Sequence, residues 1–283
     1  MHSTHAIALR HRPPLLLGRR ALVMGILNVT PDSFSDGGHH DRLDAALAHA
    51  RLMLAEGADI LDIGGESTRP GAEPVGVQQE LDRVMPVIDA LRARGIAAPI
   101  SIDTMKPLVA DQALQAGADI VNDVNGLQGA PEMAEIAALH DAPVIAMHWD
   151  RNWTAATDPI PAMLAYFAES LAIAARAGLD PARIILDPGF GFTKTLKQNY
   201  SILRQTPELI RHFPGQALLI GTSRKSMIGR LLDNRPSERL PGTIATNVQG
   251  YERGGHIFRV HDVAANSDAL RVAEATLYGV TDS

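Results

Sequence analysis

Charged and hydrogen-bonding residues recur at the end of nearly every short apolar run in this chain. Taken in chain order, these strand-end residues are Asn28, Asp62, Asp103, Asn122, Asp123, His148, Asp187, Ser223, Arg224, Lys225, Arg259 and His261. Any one of them has an ordinary alternative role, because Asp, Asn and Ser also cap helices. Their recurrence at one point of a repeated pattern predicts a shared polar mouth that binds a substrate.

The residues of this mouth sort by charge. Asp103, Asn122 and Asp187 suit a ligand with several N–H donors, such as a nitrogen heterocycle, because a carboxylate can accept two parallel N–H bonds. A cationic group suits an anion, either phosphate or carboxylate, and consists of Arg69, Lys225, Arg259 and His261. The residue types alone predict a ligand that joins a heterocycle to an anionic group.

The stretch over residues 23–38 begins as an apolar strand and breaks at Asn28 into a polar loop. Pro31, Gly37 and Gly38 exclude a helix there. The loop is longer than a turn requires, which is typical of functional loops. Its hydroxyl, amide and backbone N–H groups could hold an anion, a metal ion or both.

These residues need a scaffold that brings strand ends together, and the chain offers eight short apolar runs that alternate with helical segments. The runs cover residues 21–27, 59–63, 99–103, 119–123, 143–148, 183–187, 217–221 and 256–260. This count predicts a single-domain (β/α)8 TIM barrel over residues 21–283, with its site at the C-terminal ends of the strands. A doubly wound open sheet is the alternative, although no Gly-x-Gly-x-x-Gly follows the first strand.

Residues 1–20 form an irregular lead-in, for which a short hairpin that caps the fold is one arrangement. The chain has 283 residues, 46% hydrophobic and 20% charged, which is enough apolar material for a large core. A net charge of −6 argues against nucleic acid or an anionic membrane as partner. The absence of cysteine excludes disulfides and thiolate chemistry. With no apolar signal segment at the N-terminus, we expect a cytoplasmic protein.

Two further patterns carry little weight. Residues 189–195, Gly-Phe-Gly-Phe-Thr-Lys-Thr, look like a phosphate loop but lack the Gly before Lys that such a loop requires. His39 and His40, with Asp36 and Asp41, could be drawn as a metal site, but adjacent histidines at a loop tip are more often solvated.

Residues 24–38 and 62–71 resemble the two signature stretches of the dihydropteroate synthase family. Further matches in the family's order lie at 102–107, 122–124, 187–195, 223–226 and 259–263. The resemblance implies a (β/α)8 barrel and condensation of 6-hydroxymethyl-7,8-dihydropterin diphosphate with 4-aminobenzoate, giving 7,8-dihydropteroate and pyrophosphate. It also implies Mg²⁺ as cofactor, a homodimer and a target of sulfonamides, with neither nucleic acid nor membrane as partner.

The resemblance also implies a role for each matching residue. The pterin would be bound by Asp103, Asn122, Asp187 and Lys225, and Gly221 would be a further substrate-binding residue. Asn28 would help to ligate Mg²⁺, and Arg259 and His261 would hold the diphosphate. The junction of the two substrates would be lined by Thr68, Arg69 and Ser223, with Phe190 packed near the aminobenzoate ring. Catalysis would depend on electrostatics and positioning, chiefly through Lys225, Asp103, Asp187, Arg259 and His261, without a covalent enzyme intermediate.

Two segments depart from the family pattern. Residues 147–153 hold both tryptophans of the chain, and residues 243–250 are more polar than the family's alanine-rich helix near its dimer contact. Two rival functions stay open from sequence: a pterin-binding domain of a corrinoid-dependent methyltransferase, and a non-catalytic paralogue. The presence of Asn28, Lys225 and His261 argues for the synthase.

Overall fold

The computed structural model describes residues 4–30, 39–67 and 73–280, and within helix α1 it leaves out the side chains of residues 39–41. Eight parallel strands form a closed barrel in which each strand pairs with the next and the last pairs with the first. The barrel strands are β3 Leu22–Asn28, β4 Ile60–Gly64, β5 Ile100–Asp103, β6 Ile120–Asp123, β7 Val144–Met147, β8 Ile184–Asp187, β9 Ala217–Ile220 and β10 Ile257–Val260. Closure of the sheet confirms the predicted (β/α)8 barrel and excludes the doubly wound open sheet.

Helices alternate with the strands along the described chain. They are α1 His39–Ala55, α2 Val77–Ala93, α3 Pro107–Gln115, α4 Glu132–Leu139, α5 Pro159–Arg176, α6 Leu196–Arg204, α7 Thr206–His212, α8 Ser226–Leu232, α9 Leu240–Glu252 and α10 Val263–Tyr278. The helical segment between β8 and β9 is divided at Gln205 into α6 and α7, because Pro207 has no N–H for a continuing helix and is accommodated only at a new first turn. No helix among the described residues is both long and apolar enough to cross a membrane.

The lead-in contains an antiparallel hairpin of β1 His5–Ile7 and β2 Leu15–Leu17. Its buried residues Ile7, Leu15 and Leu17 form one apolar cluster with inward-facing residues from the N-terminal parts of the barrel strands. The hairpin therefore closes the N-terminal end of the barrel, as the capping arrangement predicts.

The barrel interior changes from apolar to polar along the strands. Side chains on one face of a strand recur every second residue. In several barrel strands an inward-facing apolar residue is therefore two positions before the next inward-facing residue, which is polar. Four strands show this change, in the pairs Ile60 and Asp62, Ile120 and Asn122, Ile185 and Asp187, and Ile257 and Arg259. The polar member of each pair lies toward the C-terminal end of its strand, where the chemistry is expected.

Candidate active site

The three residues that are predicted to bind a heterocycle lie together at the C-terminal end of the barrel. Asp103 and Asn122 are direct neighbours in the register of β5 and β6, and Asp187 ends β8. Asn122 and Asp187 are buried, with 3% and 6% of their surface exposed. The Asn122 amide donates to both oxygens of Asp62 at 3.3 Å, so its orientation is fixed by a buried carboxylate.

Arg259 lies inside this group. Its Nε donates to Asp62 Oδ2 and its Nη2 to Asp103 Oδ2, both at 2.6 Å. Burial lowers the pKa of Arg259, but the charges of Asp62 and Asp103 outweigh that effect and raise it. From the sequence, Asp62 is recognised only as a strand-end residue. Its place two residues after inward-facing Ile60, in register with its polar neighbours, is the signal that marks it as part of the site.

Burial dominates the acid–base properties of the two site carboxylates. It raises the pKa of Asp103 to about 7, with Arg259 opposing the shift and the charges of Asp62 and Glu80 adding to it. Burial also raises the pKa of Asp187, opposed by the Gly189 N–H, which donates to Asp187 Oδ1 at 2.7 Å. A ligand that supplies N–H donors stabilises the charged form of such desolvated carboxylates.

Two glycines keep space open beside these carboxylates. A Cβ added at Gly64 would contact Asn28 Oδ1 and the Asp103 side chain, at 3.6 to 3.7 Å. A Cβ at Gly221 would lie 3.7 Å from Asp187 Oδ2. Both positions face the barrel interior, so the missing side chains leave space between the polar groups.

The loops after β9 and β10 are joined through Ser223. Its hydroxyl accepts from the His261 backbone N–H at 3.1 Å and lies 3.0 Å from His261 Nδ1. Lys225 is placed between this junction and the carboxylates: its charge acts on Asp103 and Asp187, and its Nζ lies 4.2 Å from the centroid of the Phe192 ring.

Phe190, which is predicted to pack near an aminobenzoate ring, has a different environment from Phe192. Phe190 is fully buried in the core between sheet and helices, whereas Phe192 is half-buried and touches Lys225. A strongly turned backbone with positive φ at Gly189 and Gly191 separates the two rings and directs them differently. The sequence Gly-Phe-Gly-Phe offers both rings equally, so only the fold distinguishes them.

Two of the strand-end residues face away from the mouth. His148 is fully buried, packed against Trp153, Tyr166 and Phe167, and burial lowers its pKa to about 3. Asp123 accepts from the backbone N–H groups of Asn125 and Leu127 and shapes the loop after β6. The prediction that every strand-end residue belongs to the mouth is therefore wrong at these two positions.

The segment 189–195 does not act as a phosphate loop in this structure. Lys194 is buried and donates to the backbone carbonyls of Gly189, Phe192 and His148, at 2.9 to 3.3 Å. Thr68 and Arg69 lie outside the described residues, as do the loop over 31–38 and the side chains of the His39–His40 pair.

Both departures from the family pattern have a structural account. Trp149 lies edge-on to Phe192 with ring centroids 5.0 Å apart, and Arg151 stacks on the Trp149 ring. Because Phe192 also contacts Lys225, this loop adds a second aromatic ring beside the one next to Lys225. Several polar residues of α9 face inward: Thr246 bonds Thr222 at 2.8 Å, and Asn247 bonds Asn266 at 2.9 Å. The unusual polarity of that helix therefore serves a buried network.

This chain is similar to known proteins in both its sequence and its fold. A family model described as pterin binding enzyme matches residues 24–261. The dihydropteroate synthase of Synechocystis sp. is 50% identical over 265 residues, covering 91% of each chain. A structure of Xanthomonas albilineans dihydropteroate synthase with 4-aminobenzoic acid has a TM-score of 0.90 at 42% identity, covering 98% of this chain and 99% of that one. Another structure of that enzyme, in complex with 7,8-dihydropteroate, has a TM-score of 0.86 at 40% identity and covers 96% of this chain and 99% of that one.

The family model spans most of the barrel, and the full-length relatives agree with it in sequence and fold. These relatives carry the name dihydropteroate synthase. The chain therefore belongs to the dihydropteroate synthase family of pterin-binding enzymes.

Proposed function

We propose that this protein condenses 6-hydroxymethyl-7,8-dihydropterin diphosphate with 4-aminobenzoate and releases pyrophosphate. The observation that carries the proposal is the group of Asp103, Asn122 and Asp187 at the C-terminal end of the barrel, where the charges of Arg259 and Lys225 act on both carboxylates. A structure at 42% identity has been solved with 4-aminobenzoic acid, and another at 40% identity with 7,8-dihydropteroate. Both small molecules fit a site of this chemistry.

In the proposed complex the pterin edge donates N–H bonds to Asp103 and Asp187, while Asn122 supplies an amide held in place by Asp62. The pterin then competes with Arg259 for Asp103 Oδ2, and Arg259 keeps its bond to Asp62. Lys225 lies near both carboxylates and can donate to the pterin carbonyl and ring nitrogen.

The diphosphate is proposed to lie toward Arg259, His261 and Asn28. A cavity of about 610 Å³ opens beside Asn28 and His261 and reaches the first turn of α10, where backbone N–H groups favour an anion. If the Ser223 hydroxyl donates to His261 Nδ1, the proton of the imidazole lies on Nε2, which can then donate to a phosphate oxygen.

The donor chemistry near Asn28 fits Mg²⁺ bound together with a diphosphate. Mg²⁺ is usually held by one or two protein oxygens together with phosphate oxygens and water. The Asn28 side chain faces the gap left by Gly64, and no cluster of three metal-binding side chains is found among the described residues. When bound, Mg²⁺ would stabilise negative charge on the departing pyrophosphate.

Carbon–oxygen cleavage leaves positive character on the exocyclic methylene of the pterin, and the buried carboxylates favour that charge. The neutral amine of 4-aminobenzoate then attacks the methylene, with both partners held in place. Phe192, rather than Phe190, is the ring placed to pack beside the aminobenzoate, because it is half-buried next to Lys225.

The test is pyrophosphate release from the dihydropterin diphosphate with Mg²⁺, with and without 4-aminobenzoate. Release in equal amount to dihydropteroate would support the synthase. Tight pterin binding without turnover would overturn it and favour the non-catalytic paralogue or the corrinoid-dependent methyltransferase. Lys225→Ala should lose turnover, and Lys197→Ala, at an exposed position on α6, is the matched control.

We also propose that the protein is a homodimer. Val272 and Leu277 leave exposed apolar surface on α10, which packs against α9. The inward-facing polar residues of α9 leave its outer face available for such a contact. Light scattering on the purified protein measures the mass, and a single monomer mass would contradict the proposal.

A further inference from the structure

Lys194 is buried in the turn that follows β8, and the reaction proposed above gives it no role. Only 5% of its surface is exposed. Its Nζ donates to the backbone carbonyl oxygens of Gly189 at 2.9 Å, His148 at 3.2 Å and Phe192 at 3.3 Å. An ammonium has three N–H donors, so these three carbonyls can use all of them.

A buried ammonium of this kind is poorly suited to stabilising a core. Burying a charge is unfavourable unless good hydrogen bonds or a charged partner offset it, and a methionine would fill a similar volume without that penalty. Burial lowers the pKa of Lys194 to about 7; the charges of Asp187 and Asp150 oppose the shift, and the charge of Lys225 adds to it. What the ammonium contributes is a common donor for three carbonyls, and this fixes the segments that carry them.

The three carbonyls belong to two neighbouring loops. His148 directly follows β7, whereas Gly189 and Phe192 lie in the turn after β8. The two loops are in close contact, because a Cβ added at Gly189 would overlap the His148 carbonyl oxygen. Lys194 bridges the loops at this point and so holds the turn after β8 against the loop after β7.

Each of the two loops carries an aromatic ring beside the site. Trp149 lies on the loop after β7 and Phe192 on the turn after β8, with ring centroids 5.0 Å apart. The turn also faces Lys225: the Phe192 centroid lies 4.2 Å from Lys225 Nζ, and a Cβ added at Gly191 would lie 3.1 Å from Lys225 Cδ. The turn is therefore held through its backbone by Lys194 and meets Lys225 through its ring.

Lysine is the residue type that such a bridge requires. A compact ammonium with three rotatable donors can serve carbonyls that approach from different segments, whereas the donors of Arg lie in one rigid plane and the amide of Gln has only two. Asn199 of α6 holds the same turn from another side. Its Oδ1 accepts from the Gly191 N–H at 2.7 Å, and its Nδ2 donates to the Lys194 carbonyl at 3.1 Å.

We propose that Lys194 is a positioning residue that joins the loops after β7 and β8 and thereby places Phe192 against Lys225 for the second substrate. This inference rests on the proposed function, in which Phe192 packs beside the ring of 4-aminobenzoate. Lys194 touches neither substrate there, because its ammonium is directed at backbone carbonyls. Its effect falls chiefly on 4-aminobenzoate, since the pterin ligands Asp103 and Asn122 are placed by the pairing of β5 with β6.

The test compares Lys194→Met with Lys197→Met, the same change at an exposed position on α6. Methionine has a similar volume but no N–H, so the three carbonyls lose their common donor. For Lys194→Met we expect KM for 4-aminobenzoate to rise about tenfold, while KM for the dihydropterin diphosphate changes by less than about twofold. A purely structural role would lower kcat through loss of folded enzyme and leave both KM values alone. Unchanged KM values, or equal rises in both, would overturn the inference.

A double-mutant cycle with Phe192→Leu tests whether Lys194 acts through that ring. Phe192→Leu alone should raise KM for 4-aminobenzoate, because it removes an aromatic contact. If Lys194 acts through Phe192, adding Lys194→Met to this variant should raise that KM by less than about twofold more. A further rise of about tenfold would show independent effects and contradict the inference.

Near-UV circular dichroism gives a readout that does not depend on turnover. The chain has two tryptophans, both in the loop after β7, and Trp149 lies against Phe192. We expect Lys194→Met to weaken the tryptophan signal while the far-UV spectrum stays unchanged, and Lys197→Met to match the wild type in both. An unchanged tryptophan signal in Lys194→Met would count against a role in placing these loops.

Lys194→Gln gives a milder variant in case Lys194→Met does not fold. Its amide keeps two N–H donors, so a smaller rise in KM for 4-aminobenzoate alone is expected. If wild-type protein and Lys197→Met fail to turn over, the proposed function itself fails. If they turn over and the KM values of the Lys194 variants match theirs, only this inference fails.

Discussion

Two aspartates at opposite ends of the barrel contact arginine in different ways. Asp119, just before β6 at the N-terminal end, accepts from Arg12 Nε, Arg92 Nη2 and the Ile100 N–H, at 2.6 to 3.0 Å. Asp103, at the C-terminal end, accepts from Arg259 alone among the side-chain contacts that the described residues show. Both carboxylates are largely removed from water, so the difference lies in their partners.

Asp119 is a structural carboxylate, whereas Asp103 is suited to binding a ligand. The acceptor sites of Asp119 are occupied by parts of the protein that it joins, namely the lead-in, α2 and β5. Asp103 keeps acceptor capacity beside the gap at Gly64, and its burial raises its pKa to about 7. A desolvated carboxylate with unused acceptor sites favours a ligand that brings N–H donors.

The largest expected effect comes from Asp103→Asn. We expect kcat/KM for the dihydropterin diphosphate to fall by roughly a hundred- to a thousandfold, because an amide cannot accept two parallel N–H bonds. Steady-state kinetics with saturating 4-aminobenzoate measures it. Retention of more than about a tenth of the activity would place the pterin edge elsewhere.

Asp103→Asn should not destabilise the fold at alkaline pH. The folded protein raises the pKa of Asp103 to about 7, so the contribution of this group to stability is present below its unfolded pKa and is lost as the pH rises through about 7. Above that pH the wild-type protein bears an unfavourable buried charge that the amide removes. The melting temperature at alkaline pH should therefore match or exceed that of the wild type, and a clear decrease would contradict this account.

Asp119→Asn tests the structural role of the aspartate at the N-terminal end of the barrel. We expect the free energy of unfolding to fall by about 3 kcal/mol, because Arg12 and Arg92 lose the charge that they share. Urea denaturation measures this change. The value of kcat/KM per folded molecule should equal that of the wild type, and a selective loss of kcat/KM would show that the two ends are not independent.

The pH dependence gives the smallest effect. Since Asp103 must be ionised to accept from the pterin and its pKa is raised to about 7, kcat/KM for the pterin substrate should rise with pH. The expected rise is about tenfold between pH 6 and pH 8, for a single ionisation in the free enzyme. Calorimetry with 6-hydroxymethyl-7,8-dihydropterin, which lacks the diphosphate, removes the ionisation of the diphosphate from the profile. In Asp103→Asn the rise should disappear, and its persistence would assign it to another group.

Much of the scaffold could be predicted from the chain alone. The apolar runs with intervening helices were sufficient for the barrel, because strand and helix periods are local properties of the sequence. Asp103, Asn122 and Asp187 were predicted together, because the C-terminal ends of barrel strands must meet at one rim. The division of the helix at Gln205 was missed, although Pro207 was the available signal.

Other features could not be read from sequence because they depend on direction rather than order. His148 and Asp123 stand at strand ends like their neighbours, yet one lies among aromatic rings in the core and the other shapes a loop. Phe190 and Phe192 are two residues apart in a glycine-rich turn, and the backbone conformation decides which ring reaches Lys225.

The sequence by itself determined the barrel, the end that carries chemistry and most of the side chains gathered there. Hydrophobic periodicity and strand-end polarity act over a few residues, and so they are written in the order of the chain. The tertiary structure alone decided which charges meet: Arg259 with Asp62 and Asp103, Asp119 with Arg12 and Arg92, and Lys106 with Glu66 and Glu80. These partners lie 26 to 197 positions apart in the chain, and only closure of the barrel brings them within hydrogen-bond distance.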